Sequence, residues 1–229
     1  MRTPTSILLG AEAPRVLTVP MIAATLAHKR SRVARGTLFR WIRGQTADGT
    51  LRPVTRGLYI NQLAHPIPQA AEAAGHVRSG AIVSLQTVLG DAGVTNSYSD
   101  IVTSVIPLRK GGGASSRPVT AENAEYRFHA MPARLLDENA GPLEDRMDLN
   151  VFYRRATPEK ALLDWIYLGL SPRTRLAAPP LDTDLTRLDR SRLARLAKFM
   201  GLPAELKDYL ARKRRYDADP DVMANASVS

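Results

Sequence analysis

The segment RGTLFRWIRGQTADGTLRPVTRGLYIN, residues 35–61, limits the possible folds of this chain more than any other stretch. It holds five arginines and no lysine, and Asp48 is its one acidic residue. On a helical wheel of about 100° per residue, one side collects apolar side chains, namely Leu38, Trp41 and Ile42. The other side collects a glycine and two arginines at i, i+4 and i+7, namely Gly36, Arg40 and Arg43. The spacing predicts a helix that packs on one face and presents arginine on the other.

A hairpin is predicted directly after this helix. The extended runs TLRPV and GLYIN flank a tight turn in which Gly57 supplies a positive φ. Pro53 cannot donate to a ladder, so its strand is predicted to lie at a sheet edge. A shorter helix over residues 18–28, capped by Thr18, precedes the arginine helix. Two helices followed by a hairpin with Arg56 at its tip are typical of a winged helix-turn-helix.

Positive charge is concentrated in the N-terminal third of the chain. Residues 1–66 hold ten basic and two acidic residues, and they carry +8 of the formal net charge of +10. Such an asymmetry favours a polyanionic partner, and nucleic acid in particular, over a membrane. The alternative is a charged face that only keeps the chain in solution.

The predicted interface follows from this plan. The second helix enters the major groove, where Arg40 and Arg43 reach guanine edges or phosphates, while Arg52 and Arg56 on the wing hold phosphates. The predicted DNA-binding residues are Arg32, Arg35, Gly36, Thr37, Arg40, Arg43, Arg52, Arg56 and Gly57.

The proline-marked segment LAHPIPQAAEAAG predicts a domain boundary. We therefore expect an α+β protein with a winged helix-turn-helix domain at 1–66 and a mixed α/β domain at 67–229, whose tail frays from about residue 217. In the second domain we expect a helix capped by Ser84, strands in DIVTSVIPL and AEYRFHAM, a strand ending at Tyr153 and a helix capped by Thr157. The two C-terminal helices bury leucines, and their outer faces form a candidate second basic surface: Arg192, Arg195, Lys198, Arg212, Lys213, Arg214 and Arg215.

Signals for chemistry are sparse. The chain has no cysteine, and its four histidines show no ligand spacing, so we expect no metal site and no cofactor. No nucleophile elbow or paired-carboxylate motif occurs, and we expect no catalytic residues and no enzyme activity. The glycine run in RKGGGASSR lacks a phosphate-loop pattern and is typical of a hairpin loop. No apolar run of about 18 residues or signal peptide is found, which predicts a cytoplasmic protein without a membrane partner.

Three stretches together resemble the AbiEi family, the antitoxin half of AbiE-type type IV toxin-antitoxin systems. They are LRPVTRGLYIN as the wing, GAIVSLQTVLGDAGV as the first helix of the second domain, and RRATPEKALLDWIYL as its capped central helix. In this order they span roughly residues 18–170. Family members often carry a histidine before the glycine that ends the second stretch, where this chain has Ala92.

The resemblance implies a protein with two functions. The winged helix is expected to bind inverted repeats upstream of its own operon and repress it, and the C-terminal domain is expected to oppose a nucleotidyltransferase-like toxin, with or without direct contact. The alternatives are a stand-alone winged-helix regulator whose second domain senses a small molecule, and an enzyme with a DNA-binding appendage. The second of these would require a deep polar cleft with perturbed carboxylates.

Overall fold

A computed structural model shows that the chain forms two compact units. The first consists of Met1–Ser79 and Pro118–Tyr126, and the second of Gly80–Arg117 and Arg127–Ser229. Helices and sheets are combined, so the α+β class is confirmed. The structure describes residues 4–10, 12–27, 33–96, 99–108, 117–122, 124–171, 174 and 176–219.

The first unit alternates helices with short strands. In chain order these elements are α1 (Pro4–Leu9), β1 (Val16–Thr18), α2 (Val19–Ala27), α3 (Arg35–Ala47), β2 (Leu51–Thr55), β3 (Leu58–Asn61) and α4 (Ala74–Val77). The strands form an antiparallel sheet in the order β1-β3-β2. Since β2 lies at the edge of this sheet, the predicted edge position of Pro53 is confirmed.

The turn between β2 and β3 and the start of α2 are linked by a backbone contact. Gly57 has a φ of +81°, which confirms the predicted positive φ, and its carbonyl accepts a hydrogen bond from the Val19 amide at 3.0 Å. Thr18 Oγ1 accepts from the Met21 amide at 3.4 Å, as predicted for the cap of α2. The hairpin is thereby tied to the helix that precedes α3.

The core of the first unit explains the two-faced pattern of α3. Leu38 and Ile42 are buried, and Trp41 packs against the same cluster while partly exposed. The packing face read from the sequence is therefore confirmed. The other main members of this core are Leu8, Leu9, Leu17, Ile22 and Leu51.

The first unit continues past the predicted boundary at residue 66. Arg15 donates through Nε and Nη2 to the two carboxylate oxygens of Glu72, at 2.6 and 2.7 Å. This contact raises the pKa of Arg15. A bidentate pair to a buried carboxylate joins the segment after residue 66 to the start of β1.

The second unit is larger and more helical. The remaining elements in chain order are β4 (Ile82–Val83), α5 (Gln86–Asp91), β5 (Ile101–Leu108), β6 (Val119–Thr120), β7 (Glu125–Pro132), α6 (Leu143–Arg146), α7 (Pro158–Leu170), α8 (Arg190–Met200) and α9 (Pro203–Asp217). All of them belong to the second unit except β6 and the first two residues of β7, which lie in the segment Pro118–Tyr126 of the first unit. The strands predicted in DIVTSVIPL and AEYRFHAM are confirmed as β5 and β7. Thr157 caps α7 as predicted, since its Oγ1 accepts from the Lys160 amide at 3.3 Å.

Two local predictions in the second unit are wrong. Ser84 does not cap α5, which begins at Gln86 after Leu85, a residue held at a φ of +59°. The Ser84 hydroxyl instead donates to Asp164 at 2.8 Å. The segment that ends at Tyr153 forms bends and not a strand.

Candidate nucleic-acid interface

Helix α3 presents its polar face to solvent along its first three turns. Arg35, Gly36, Thr37, Arg40 and Arg43 are all exposed. Burial of Leu38 and Ile42 on the opposite side fixes this orientation, because the 3.6-residue repeat leaves the arginine side outward. A methyl group on Gly36 would meet no atom within 4 Å, so the helix backbone is open to approach at this position.

The arginines of this face carry charge that the unit does not neutralise. Within the described part of the chain, Arg35, Arg40, Arg43 and Arg56 form no ion pair. Asp48, the acidic residue of the segment, is exposed at the C-terminal end of α3. Uncompensated guanidinium groups on the helix and the hairpin are suited to phosphate oxygens and guanine edges.

A groove of about 1010 Å³ brings the helix and the hairpin together as one surface. Arg43 lines it from α3, and Arg56 and Gly57 line it from the hairpin. Phe39 and Tyr59 add aromatic surface. Three of the predicted site residues thus face the same depression, whereas Arg35 and Arg40 lie on the exposed face of α3 outside the groove lining.

Arg52 and Arg32 stand apart from this group. Arg52 is half-buried, and its charge acts on the hydroxyl of Tyr126. Burial raises the pKa of Tyr126 to about 12, and its hydroxyl donates to the Ala70 carbonyl at 2.8 Å. Arg52 is therefore less available to a ligand than Arg56. Arg32 lies outside the described residues.

Much of the candidate second basic surface is engaged in ion pairs within the second unit. Arg195 donates through Nε and Nη2 to both oxygens of Asp145, at 3.0 and 2.8 Å. Arg192 lies 3.3 Å from Asp145 and 3.5 Å from Glu159. Both carboxylates are buried, and the Arg195 hydrogen bond lowers the pKa of Asp145. These two arginines hold α8 against α6 and α7.

The basic residues of α9 divide in the same way. Arg212 pairs with Asp208 at 3.2 Å and Lys213 with Asp217 at 2.8 Å, each one turn apart. Lys198, Arg214 and Arg215 are exposed and form no ion pair among the described residues. Only a few cations of this surface are thus without an ion pair among the described residues, and they do not line up along one helix face as the arginines of α3 do.

The second unit contains a buried polar cluster of Lys160, Asp164 and Ser84, whose mutual contacts were not predicted from the sequence. The ammonium group of Lys160 pairs with Asp164 one turn later on α7, and the Ser84 hydroxyl donates to the other oxygen of Asp164. Burial raises the pKa of Asp164, while Lys160 and Ser84 oppose that shift. The adjoining cavity is about 10 Å³, which is room for roughly one water molecule. The cluster joins the residue that follows β4 to α7.

Neither the described residues nor comparison with known proteins assigns a metal site, a membrane span or a family to this chain. Among the described residues, no three His, Asp or Glu side chains group as metal ligands, and no helix has the length and apolarity needed to cross a membrane. No protein-family model matches the chain, and no curated protein matches it significantly.

Proposed function

We propose that this protein is a DNA-binding antitoxin that represses its own operon through a winged helix-turn-helix formed by its first unit. The element order helix, strand, helix, helix, strand, strand and the sheet order β1-β3-β2 support this interpretation. In it α3 is the recognition helix, and the β2–β3 hairpin is the wing.

The observation that carries the proposal is the set of open arginines on α3 and the hairpin. Arg40 and Arg43 project from one helix face, and Arg56 projects from the hairpin turn across the same groove as Arg43. In the proposed complex α3 lies in the major groove, and Arg56 contacts the sugar-phosphate backbone beside it.

The antitoxin half of the proposal depends on the resemblance to the AbiEi family. The second unit acts against a nucleotidyltransferase-like toxin. Two of the three stretches that carry the resemblance form β4, α5 and α7, which are joined by the buried contact between Ser84 and Asp164. Inverted repeats upstream of the operon are the proposed binding sites, and the proposed location is the cytoplasm.

The small-molecule sensor is the second candidate, because the second unit has a groove of about 710 Å³ between α8, α9 and the turn before α8. Leucines such as Leu188 and Leu193 line it, together with charged residues of both signs, namely Arg190, Lys213, Arg214, Asp184 and Asp217. Its size falls within the range of small-molecule sites. An apolar molecule with a polar end is the chemistry that such a lining favours.

Two assays on the full chain separate these functions. Fluorescence anisotropy compares binding to the duplex upstream of its own gene with binding to a shuffled duplex of equal length and composition. The proposal requires a nucleotidyltransferase-like gene beside the gene of this protein, and growth of cells that express that gene is measured with and without this protein. We expect preferential binding to the upstream duplex and rescue of growth. Equal binding to both duplexes would refute the DNA-reading role, and binding without rescue favours the sensor.

A further inference from the structure

Helix α3 leaves one large apolar side chain on its cationic side. Phe39 is 38 % exposed, although it neighbours Leu38, which is buried in the core. Arg40 follows it directly in sequence, and Arg43 lies one turn further along the helix. An exposed aromatic ring among arginines adds nothing to attraction for phosphates, and what it offers a ligand at this position is apolar surface.

The Phe39 ring contacts an arginine of its own helix. The guanidinium carbon of Arg35 lies 5.7 Å from the centroid of the Phe39 ring, which is the distance of a cation–π contact. Phe39 also lines the groove that Arg43 and Arg56 share. The side chain thus presents apolar surface in the region where the proposed interface meets DNA.

We propose that Phe39 is a specificity-determining residue that contacts the C5-methyl group of a thymine in the major groove; this inference rests on the proposed DNA-binding function. A phenyl ring has no hydrogen-bonding group, so the donors and acceptors on base edges offer it no partner. The thymine methyl is the apolar group that unmodified DNA presents in the major groove. Arginines beside Phe39 would fix the helix on phosphates or guanine, and Phe39 would select thymine at one position.

The expected size of the effect follows from the burial of one methyl group. Removing the methyl from the contacted thymine should weaken binding about four-fold, which corresponds to about 0.8 kcal/mol for one buried carbon. Loss of the whole ring should weaken binding to the thymine duplex by at least as much. It should also abolish the preference for thymine over uracil.

The experiment replaces thymine by uracil, one position at a time, in the upstream duplex that the full chain protects in a footprint. Dissociation constants are measured for the wild type, Phe39→Ala, Phe39→Leu and the control Phe152→Ala. The control removes a 71 % exposed aromatic side chain from the second unit. Thermal melts establish that each variant is folded. We expect one thymine, or one in each half-site, whose replacement by uracil raises the dissociation constant about four-fold for both the wild type and Phe152→Ala.

Phe39→Ala is expected to bind the thymine and uracil duplexes equally, and Phe39→Leu to keep part of the preference because it remains apolar. The inference is overturned if the wild type binds every uracil duplex as tightly as thymine. It is also overturned if Phe39→Ala keeps the full preference. If conversion of a cytosine to 5-methylcytosine strengthens binding while no uracil substitution weakens it, the ring contacts methylated cytosine and the thymine contact is rejected. Absence of any sequence-selective footprint refutes the proposed function itself and so is distinguishable from all of these results.

Discussion

Breaking the buried pair between Lys160 and Asp164 should severely destabilise the second unit. Their side chains are 4 % and 1 % exposed, so each charge is stabilised by its partner and not by hydration. Asp164→Asn keeps the shape and leaves the Lys160 ammonium without a counter-charge. We expect a loss of about 3 to 5 kcal/mol in the free energy of unfolding. Replacing the whole cluster, as Lys160→Met with Asp164→Leu and Ser84→Ala, should restore stability to within about 1 kcal/mol of the wild type or exceed it, because no buried polar group then loses its partner.

Urea titration of the full chain measures this effect. Trp165 lies in α7 beside the pair, so a Trp41→Phe background makes fluorescence report on the second unit alone. With slopes of about 1 to 3 kcal/mol/M, a loss of 3 kcal/mol lowers the midpoint by about 1 to 3 M. Asp217→Asn is the matched control, because it breaks a Lys–Asp pair of the same spacing at a 51 % exposed carboxylate and should cost less than about 1 kcal/mol. The reasoning fails if Asp164→Asn costs no more than this control, or if the triple variant Lys160→Met, Asp164→Leu and Ser84→Ala is as unstable as Asp164→Asn.

Three further outcomes are expected. Gly57→Val should lower the melting temperature and operator affinity, because a φ of +81° costs a β-branched residue about 1 to 2 kcal/mol; unchanged affinity by anisotropy would contradict this role of the turn. Gly36→Ala should leave the melting temperature unchanged or higher, because its Cβ meets nothing in the protein, yet weaken operator binding by blocking close approach; equal affinity would place the helix backbone away from DNA. Asp145→Asn should destabilise the second unit near pH 7, because Arg195 lowers the folded-state pKa of Asp145. The carboxylate stabilises the fold above its unfolded pKa of about 3.9, so the difference in urea midpoint between variant and wild type should shrink as the pH falls below about 4. A difference that stays constant with pH would contradict this.

Local patterns were sufficient to predict much of the first unit. The 3.6-residue repeat separated Leu38 and Ile42 from Arg40 and Arg43, because a single core-facing side determines the orientation of a helix. Gly57 was predictable for a similar reason, since a tight turn restricts φ within a few residues. The strand β1 and the helix α1 were not predicted, since three and six residues are too short for a clear period.

The second unit shows where such reasoning ends. Ser84 has the local signature of a helix cap, but its hydroxyl pairs with Asp164, 80 residues further along the chain. Arg195 has the signature of an open basic face, yet it forms a bidentate pair with Asp145, 50 residues earlier. No spacing rule links residues at such separations. The exposed face of α3 was predictable because it follows from the local helical repeat, whereas the roles of Ser84 and Arg195 depend on distant partners.

The salt dependence of operator binding tests the central claim most directly. The triple variant Arg40→Ala, Arg43→Ala and Arg56→Ala removes the open charges of α3 and the hairpin. The control Arg190→Ala, Lys198→Ala and Arg215→Ala removes three exposed charges from the second unit. If all three interface arginines contact phosphates, the slope of log K against log salt becomes shallower by about 2.7, at roughly 0.9 for each lost contact, and the control keeps the wild-type slope. An unchanged slope in the interface variant, or an equal change in both, would contradict the assignment of DNA binding to α3 and the hairpin.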